Sequence, residues 1–403
     1  MSTAILYHGF GIQGYQHVHT KIHSGAIHFR VRQDIFNLRC PVCGSYKVKR
    51  RGKVMRRFRT VPIGSKPVWI EFLVPRVLCC LCNIVRQVKV RFALRRRSYT
   101  RAFERYALEL SQHMTIKDVA HHLGVSWDVI KDIQKRNLIR RFAYPQFHKL
   151  KQIAIDEITI GKGHRYLTIV LDLKSGAVVY VGEGKGAEAL ERFWKILRRQ
   201  KVHIEAVATD LSPAYISAVL THLPKAVHVF DHFHLIKLYN DSLSDLRRKL
   251  YHDAELMQRQ VLKGSRWLLL KNPENLDPKH REHERLAAAL ELNQPLALAY
   301  YMKEDLRQIW MQPDKTTATQ VLHDWVHRAF ASGISTLIKF AKTVALYRSG
   351  ILAYYDYPIS TGPLEGTNNK IKTMKRQAYG FRDLEFFKLK ILALHKMKYA
   401  LVG

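Results

Sequence analysis

Apolar and polar positions change their period along the chain. From Lys66 to Val74 the side chains of Val68, Ile70, Phe72 and Val74 alternate with their neighbours, the two-residue period of a half-buried strand. A helical pattern then spans Ala102 to Gln112. In the stretch from Met114 to Ile133, Thr115 is placed to cap a helix that turns Val119, Ala120 and Leu123 inward. Gly124 makes the turn, and Ser126 caps a second helix burying Val129, Ile130 and Ile133. Beyond residue 149 short strands interleave with helices. Strands are predicted at Gln152–Ile155, Tyr166–Leu171, Ala177–Val181, Ala206–Thr209 and Ala226–Phe230, and helices at Ala187–Gln200 and Pro213–Leu220. Leu243 to Tyr347 reads as almost wholly helical, with apolar periodic stretches around Trp267, Leu290, Trp310 and Trp325.

The cysteines add a module to this picture. All five lie between Cys40 and Cys82, and two CxxC pairs stand out, Cys40/Cys43 and Cys79/Cys82. A CxxC turn sets two thiolates one metal's width apart, and two such turns make a closed tetrahedral site, so one structural zinc ion is expected. The spacer of 35 residues reads as a long hairpin in a β-rich zinc ribbon. Cys80 is the spare thiol.

Charge names a class of partner. The 403 residues hold 67 Lys and Arg against 33 Asp and Glu, a formal net charge of +34, with 21 His besides. Such a surplus favours a polyanion, because each neutralised phosphate releases counterions. Lys47 to Arg59 carries eight basic residues and no acid, among them Lys47, Lys49, Arg50, Arg51, Lys53, Arg56 and Arg57. This reads as a phosphate-tracking arm, with a solvated face as the plainer alternative. A second basic stretch, Arg91 to Arg101, includes Arg95, Arg96 and Arg97 and leads into the helix-turn-helix. There Ser126, Trp127 and Lys131 lie at the start of the candidate major-groove helix, beside two acids, Asp128 and Asp132, that count against base reading. The N-terminus lacks a signal-peptide layout, and no apolar run approaches the roughly 18 residues needed to span a bilayer, so a soluble cytosolic protein without membrane contact is expected.

Two acids matter by position. Asp156 and Asp210 each follow a buried strand, where a charge is costly unless neutralised. Two magnesium ions held by carboxylates would neutralise them and serve phosphoryl transfer. Glu365 is the candidate third carboxylate, in the first turn of a helix opened by Gly362-Pro363, with Asn369 and Lys372 on its face and Asn368, Lys375 and Arg376 nearby. Alternatives stay open: Glu157 for Asp156, and Asp231 for or beside Asp210. His232 and His234 read as metal ligands or as packed histidines.

The fold class is therefore α/β, an RNase H-like catalytic domain interrupted by an all-helical insertion and preceded by a zinc-ribbon module and a helix-turn-helix. The expected divisions are 1–90 for the zinc module, 91–148 for the helix-turn-helix, 149–242 for the first part of the core, 243–347 for the insertion and 348–403 for the helical end of the core.

Taken in order, Asp156-Glu157, Thr209-Asp210, Asp231-His-Phe-His234 and Glu365-Gly-Thr-Asn-Asn-Lys-Ile-Lys372 resemble the DDE transposases of bacterial insertion sequences, and most of all the ISL3 family. Lys375 to Arg382, the paired CxxC module and the helix-turn-helix are similar to that family too. The resemblance implies Asp156, Asp210 and Glu365 as the catalytic triad, two Mg²⁺ or Mn²⁺ ions, and cleavage and strand transfer at terminal inverted repeats. It also implies target DNA as a partner, at least a dimer on DNA, and a bacterial, nucleoid-associated setting.

Overall fold

The N-terminal part of the chain is built on a sheet with three helices after it. The structure is a computed structural model that describes residues 3–33, 38–161, 163 and 165–395. The chain divides into two compact units between residues 141 and 142.

In the first unit, helix α1 (Ala4–Phe10) precedes β1 (Tyr15–His23), β2 (Ala26–Gln33), β3 (Val48–Ile63), β4 (Lys66–Cys79) and β5 (Val85–Gln87). The strand order is β1-β2-β4-β3, with β5 on β4. The alternating apolar residues of β4 are fully buried and pack with Phe29, Val31, Phe58 and Phe92. Helices α2 (Arg101–Leu110), α3 (Ile116–Leu123) and α4 (Trp127–Phe142) follow. Thr115 caps α3 by accepting from the Asp118 amide, and Gly124 takes the left-handed conformation at its end. Val119, Leu123, Ile130 and Ile133 close the small core. Arg59 ties sheet to helices: it is buried and donates to the carbonyls of Val68 (3.2 Å) and Leu123 (3.0 Å).

The second unit holds β6 (Gln152–Gly161), β7 (Arg165–Asp172), β8 (Val178–Glu183), helix α5 (Glu191–Gln200), β9 (Ala206–Thr209), α6 (Pro213–His222) and β10 (Val227–Phe230). The sheet order is β10-β9-β6-β7-β8. β6, β7 and β8 are antiparallel, and β9 and β10 run parallel to β6. This is the RNase H-like arrangement. The first strand does not stop at Asp156, as its apolar run suggests, but continues to Gly161, because β7 keeps pairing past it through Glu157↔Thr168 and Ile158↔Leu167.

α7 (His232–Asp253) leaves the sheet and runs unbroken into the insertion, so the expected division at 242 falls inside a helix. Next come α8 (Leu256–Gly264), α9 (Arg266–Leu270), α10 (Glu282–Glu291), α11 (Gln294–Gln308), α12 (Lys315–Ala331), α13 (Ser335–Leu346) and α14 (Arg348–Leu352). They pack around Tyr239, Trp325 and Phe340, with the Trp325 indole donating to the Met302 carbonyl (2.8 Å). α15 (Gly362–Gln377) and α16 (Leu384–Leu392) return to the sheet, where Leu364, Ile371, Phe387 and Ile391 pack on Ala154, Ile158 and Ala208. α5 and α6 cover the opposite face through Trp194, Tyr215 and Val219.

Candidate functional site

Each unit carries one chemical constellation. In the first, antiparallel pairing sets Val48 opposite Cys79, so the hairpin folds its long spacer away and returns the first CxxC to the second. Both motifs make the same knuckle. The Gly44 amide donates to the Cys40 carbonyl (3.0 Å) and the Asn83 amide to that of Cys79 (2.9 Å), with Gly44 and Asn83 both left-handed. The sulfurs of Cys40, Cys43, Cys79 and Cys82 all lie within 4.8 Å of one another. The Cys79 thiol is lowered to about 7, first by the Cys82 amide. That of Cys82 is pushed up to about 12, first by Cys43 and then by burial. Four converging sulfurs fit a single tetrahedral zinc ion. Cys80 is exposed and outside the cluster, its amide bonded to the Lys47 carbonyl.

The basic residues divide by what they touch. Lys47, Lys49, Arg50, Arg51, Lys53, Arg95 and Arg96 are exposed. Arg56 lies over the Phe58 ring and donates to the Arg97 carbonyl, and Arg57 pairs with Glu71. Arg97 pairs with Asp132 at 3.2 Å. At the start of α4, Ser126 and Trp127 are exposed, and the Lys131 ammonium lies 5.2 Å from the Trp127 ring centre. Asp132, which counted against base reading, is occupied by Arg97, Tyr99 and Arg136.

In the second unit the strand register builds the site. Parallel pairing ends at Ile155↔Thr209 and at Phe230↔Thr209. The next residue on each strand is acidic, so Asp210 has Asp156 on one flank and Asp231 on the other, about one strand spacing apart. Asp156 shares a sheet face with Ala154 and Ile158, under α15. Glu157 points the other way, toward Tyr215 of α6, whose hydroxyl it contacts.

Each of the three aspartates has its own environment. Burial raises the Asp156 carboxyl to about 6, and the Asp210 charge adds to that shift. Asp210 is also raised by burial, against a hydrogen bond from the Ser212 amide (3.0 Å). Burial would raise Asp231 too, but hydrogen bonds from His234 and Thr361 overcome it and hold that carboxyl well below the usual range. Asp231 is the N-cap of α7, accepting from the Phe233 and His234 amides. It also accepts from the Thr361 hydroxyl (2.7 Å) and amide. His234 is raised first by its hydrogen bond to Asp231 and is influenced by Asp156 and Asp210 together.

Glu365 is exposed in the first turn of α15, with Asn369 and Lys372 exposed on the same face. Asn368, expected to face DNA, is buried instead, and its amide donates to Asp156 Oδ2 at 2.9 Å. Lys375 is half-buried and Arg376 exposed at the far end of the helix. Among the described residues the three carboxylates do not converge as the cysteines do. Ligands shared between two ions about 3.5–4 Å apart spread more widely than ligands around one. Two half-buried carboxylates side by side, both raised in pKa, fit a divalent cation, whose charge would offset burial and repulsion alike.

The Asn368–Asp156 bond and the Thr361–Asp231 bonds escaped the sequence reading. An Asp before a helix is a visible capping signal, but partners 212 and 130 positions away are not.

An RNase H-like sheet with carboxylates side by side at Asp156 within β6 and Asp210 just after β9, joined in sequence to a thiolate cluster and a helix-turn-helix, defines a metal-dependent DNA-processing enzyme of the DDE class. Residues 153–391 match the DDE ISL3 family model, described as a transposase. Residues 88–136 match the helix-turn-helix domain of transposase family ISL3, and residues 37–82 match the zinc-finger of transposase IS204/IS1001/IS1096/IS1165. The chain belongs to the ISL3 family of transposases, enzymes that cleave DNA and transfer its strands. It is 33% identical to the transposase for insertion sequence element IS1001 of Bordetella parapertussis, over 88% of each chain. It is 29% identical to the transposase for insertion sequence element IS1557 of Mycobacterium tuberculosis, over 86% of this chain and 83% of that one. Among solved structures it is similar to the Drosophila P element transposase strand transfer complex, with TM-score 0.39 and 13% identity over 73% of this chain and 92% of that one. The family implies a divalent metal for the DDE domain, and the helix-turn-helix and transposase domains assign the protein to DNA binding. Among the described residues no helix is long and apolar enough to cross a membrane.

Proposed function

We propose that Asp156, Asp210 and Glu365 are the catalytic carboxylates, and that they hold two Mg²⁺ or Mn²⁺ ions at the ends of the insertion sequence. The observation that carries this is the register that sets Asp156 beside Asp210, under the helix that bears Glu365. Bound there, the ions would lower the pKa of the attacking water and stabilise the leaving oxygen. The chain's own residues prepare that chemistry. Asp156 and Asp210 supply oxygen ligands from neighbouring strands, rigid because both strands are buried. Asn368 donates to one oxygen of the Asp156 carboxylate and the Glu157 amide to the other (2.8 Å), so the group is held in one orientation with lone pairs left on both oxygens for a metal. Asp231 orients His234 and raises its pKa, putting positive character beside a phosphodiester that carries a negative charge. In the first step water attacks phosphorus at the element boundary and the 3′ oxygen leaves as a hydroxyl. In the second, that 3′-hydroxyl attacks target DNA and displaces another 3′ oxygen. No protein nucleophile is required.

The DNA-binding reading assigns terminal inverted repeats to the first unit. The exposed hairpin cations Lys47, Lys49, Arg50, Arg51 and Lys53, with Arg95 and Arg96, contact phosphates. Trp127 and Lys131 reach the major groove from the start of α4. Asn369, Lys372, Lys375 and Arg376 contact the strand near the acids. Synapsis of two ends calls for at least a dimer on DNA.

Asp156→Ala tests the assignment. Cleavage of an end-labelled duplex is expected to fall below detection, while gel-shift affinity for the inverted repeat stays within about twofold, since no phosphate contact is removed. Loss of both activities together would make Asp156 a folding residue and contradict the assignment.

A further inference from the structure

The first unit has a cleft of about 440 Å³ between the end of α1, the segment after β5, and helices α2 and α4. Arg91, Arg101, Arg105 and Arg140 line it, and all four are exposed at its rim. Its floor is apolar, with Phe10 and Phe92 at 4% and 5% exposure. Glu104 also borders the cleft, but it is buried and its carboxylate is taken by Arg136 at 3.4 Å. Asp132 of α4 is held by Arg97 and Arg136. Among the described residues none of the four guanidinium groups has an acid partner. Four like charges around one concavity repel each other. An anion of spaced charges would neutralise them, and guanidinium groups match phosphate oxygens in pairs.

We propose that this cleft is a phosphate-binding site that grips the backbone of the DNA duplex whose major groove α4 enters. The inference rests on the reading of α4 given above. Arg140 follows Trp127 by 13 positions on α4, about 20 Å at 1.5 Å per residue. The major groove is about 12 Å wide, so a helix of that length whose first turn lies in the groove extends past the phosphates that border it, and its far end carries the cleft. The cleft thus contributes affinity and register rather than sequence preference.

The test uses the full chain and fluorescence anisotropy on labelled duplexes across a salt series. The variant is Arg101→Gln/Arg105→Gln/Arg140→Gln, its fold checked by zinc content and thermal melting. Affinity is expected to drop for the inverted repeat and an unrelated duplex alike. The slope of log K against log salt should become shallower by about 2.7, three contacts at about 0.9 each. Arg101→Lys/Arg105→Lys/Arg140→Lys should keep most of that slope. An unchanged slope in the Gln variant overturns the proposal. Trp127→Ala/Lys131→Ala separates it from the α4 reading, since that pair should lose discrimination between the duplexes and keep most of the slope. If discrimination survives there, the α4 reading fails on its own. Titration with inorganic pyrophosphate and with a mononucleotide distinguishes the sources of phosphate. Saturable binding of either one, abolished in the Gln variant while its DNA slope stays unchanged, would make the cleft a small-anion site and overturn the assignment to DNA.

Discussion

The Asn368 side-chain amide donates to Asp156 Oδ2 at 2.9 Å, joining the helix that carries Glu365 to the central strand of the sheet. Asn368 is three residues after Glu365, so both lie on one flank of α15. The bond therefore ties the first turns of α15, which carry Glu365, to the strand that carries Asp156.

Removing that tether should be costly to chemistry and mild for binding. Asn368→Ala is expected to lower strand cleavage about 100-fold, the usual cost of a displacement of about 1 Å in a reacting group. Asn368→Asp should be worse, because a further carboxylate raises the Asp156 pKa again. Single-turnover cleavage and gel shift, run in parallel, check both.

Acidity of the site gives a second expectation. Asp156 is raised to about 6 from an unfolded value of 3.8, and Asp210 is raised as well. For an acid shifted upward, the protonated form favours the fold, so ionised Asp156 costs stability in full above about pH 6, the cost shrinks as pH falls from there to 3.8, and Asp210 acts in the same direction. His234 acts in the same sense, since a raised histidine gives stability that is lost as pH rises through its folded pKa. Asp231 acts oppositely, its contribution being present above about pH 4 and lost below. With magnesium withheld and zinc retained, Asp156→Asn should flatten the dependence of melting temperature on pH between about 4 and 6. Magnesium affinity of the wild type should weaken about tenfold per pH unit below about 6.

Zinc is the third. Cys43→Ser should release the ion and unfold the hairpin module, because structural zinc contributes roughly 10–16 kcal/mol coupled to folding. Cys80→Ser should keep one zinc per chain and the wild-type melt, as Cys80 lies outside the sulfur cluster. Metal content by atomic emission and circular dichroism decide between them.

Gly350 of α14 packs on Phe230, and a Cβ there would stand 2.4 Å from the ring. Gly350→Ala should destabilise the second unit by about 1–3 kcal/mol through overpacking. Phe230 precedes Asp231, so cleavage should fall as well. Chemical denaturation and a cleavage assay measure the two effects.

Local pattern and chemistry made much of this legible in sequence. The β4 alternation, the Thr115 cap, the Gly124 turn and the paired CxxC motifs each state a short-range rule. The ends of β9 and β10 could be read because an acid after an apolar run is costly to bury. The end of β6 could not, because its length is set by β7, and a strand's partner is not written in its own residues. The burial of Asn368 escaped for the same reason. Its neighbours Asn369 and Lys372 look alike in sequence, and only the packing of Leu364 and Ile371 decides which one turns inward. The basic residues were legible as a total and not singly. Arg59 and Arg97 serve the fold, while Arg101, Arg105 and Arg140, outside the expected set or at its edge, stand unpaired around the cleft.

The central claim is that Asp156, Asp210 and Glu365 perform metal-dependent cleavage at the element's ends. Strand cleavage of a labelled duplex carrying the element's own end, in Mg²⁺, Mn²⁺ and EDTA, tests it most directly on wild type and Glu365→Gln. The account predicts nicking at the element boundary in either metal, none in EDTA, and none in the variant despite retained binding. Nicking that survives in Glu365→Gln would contradict it.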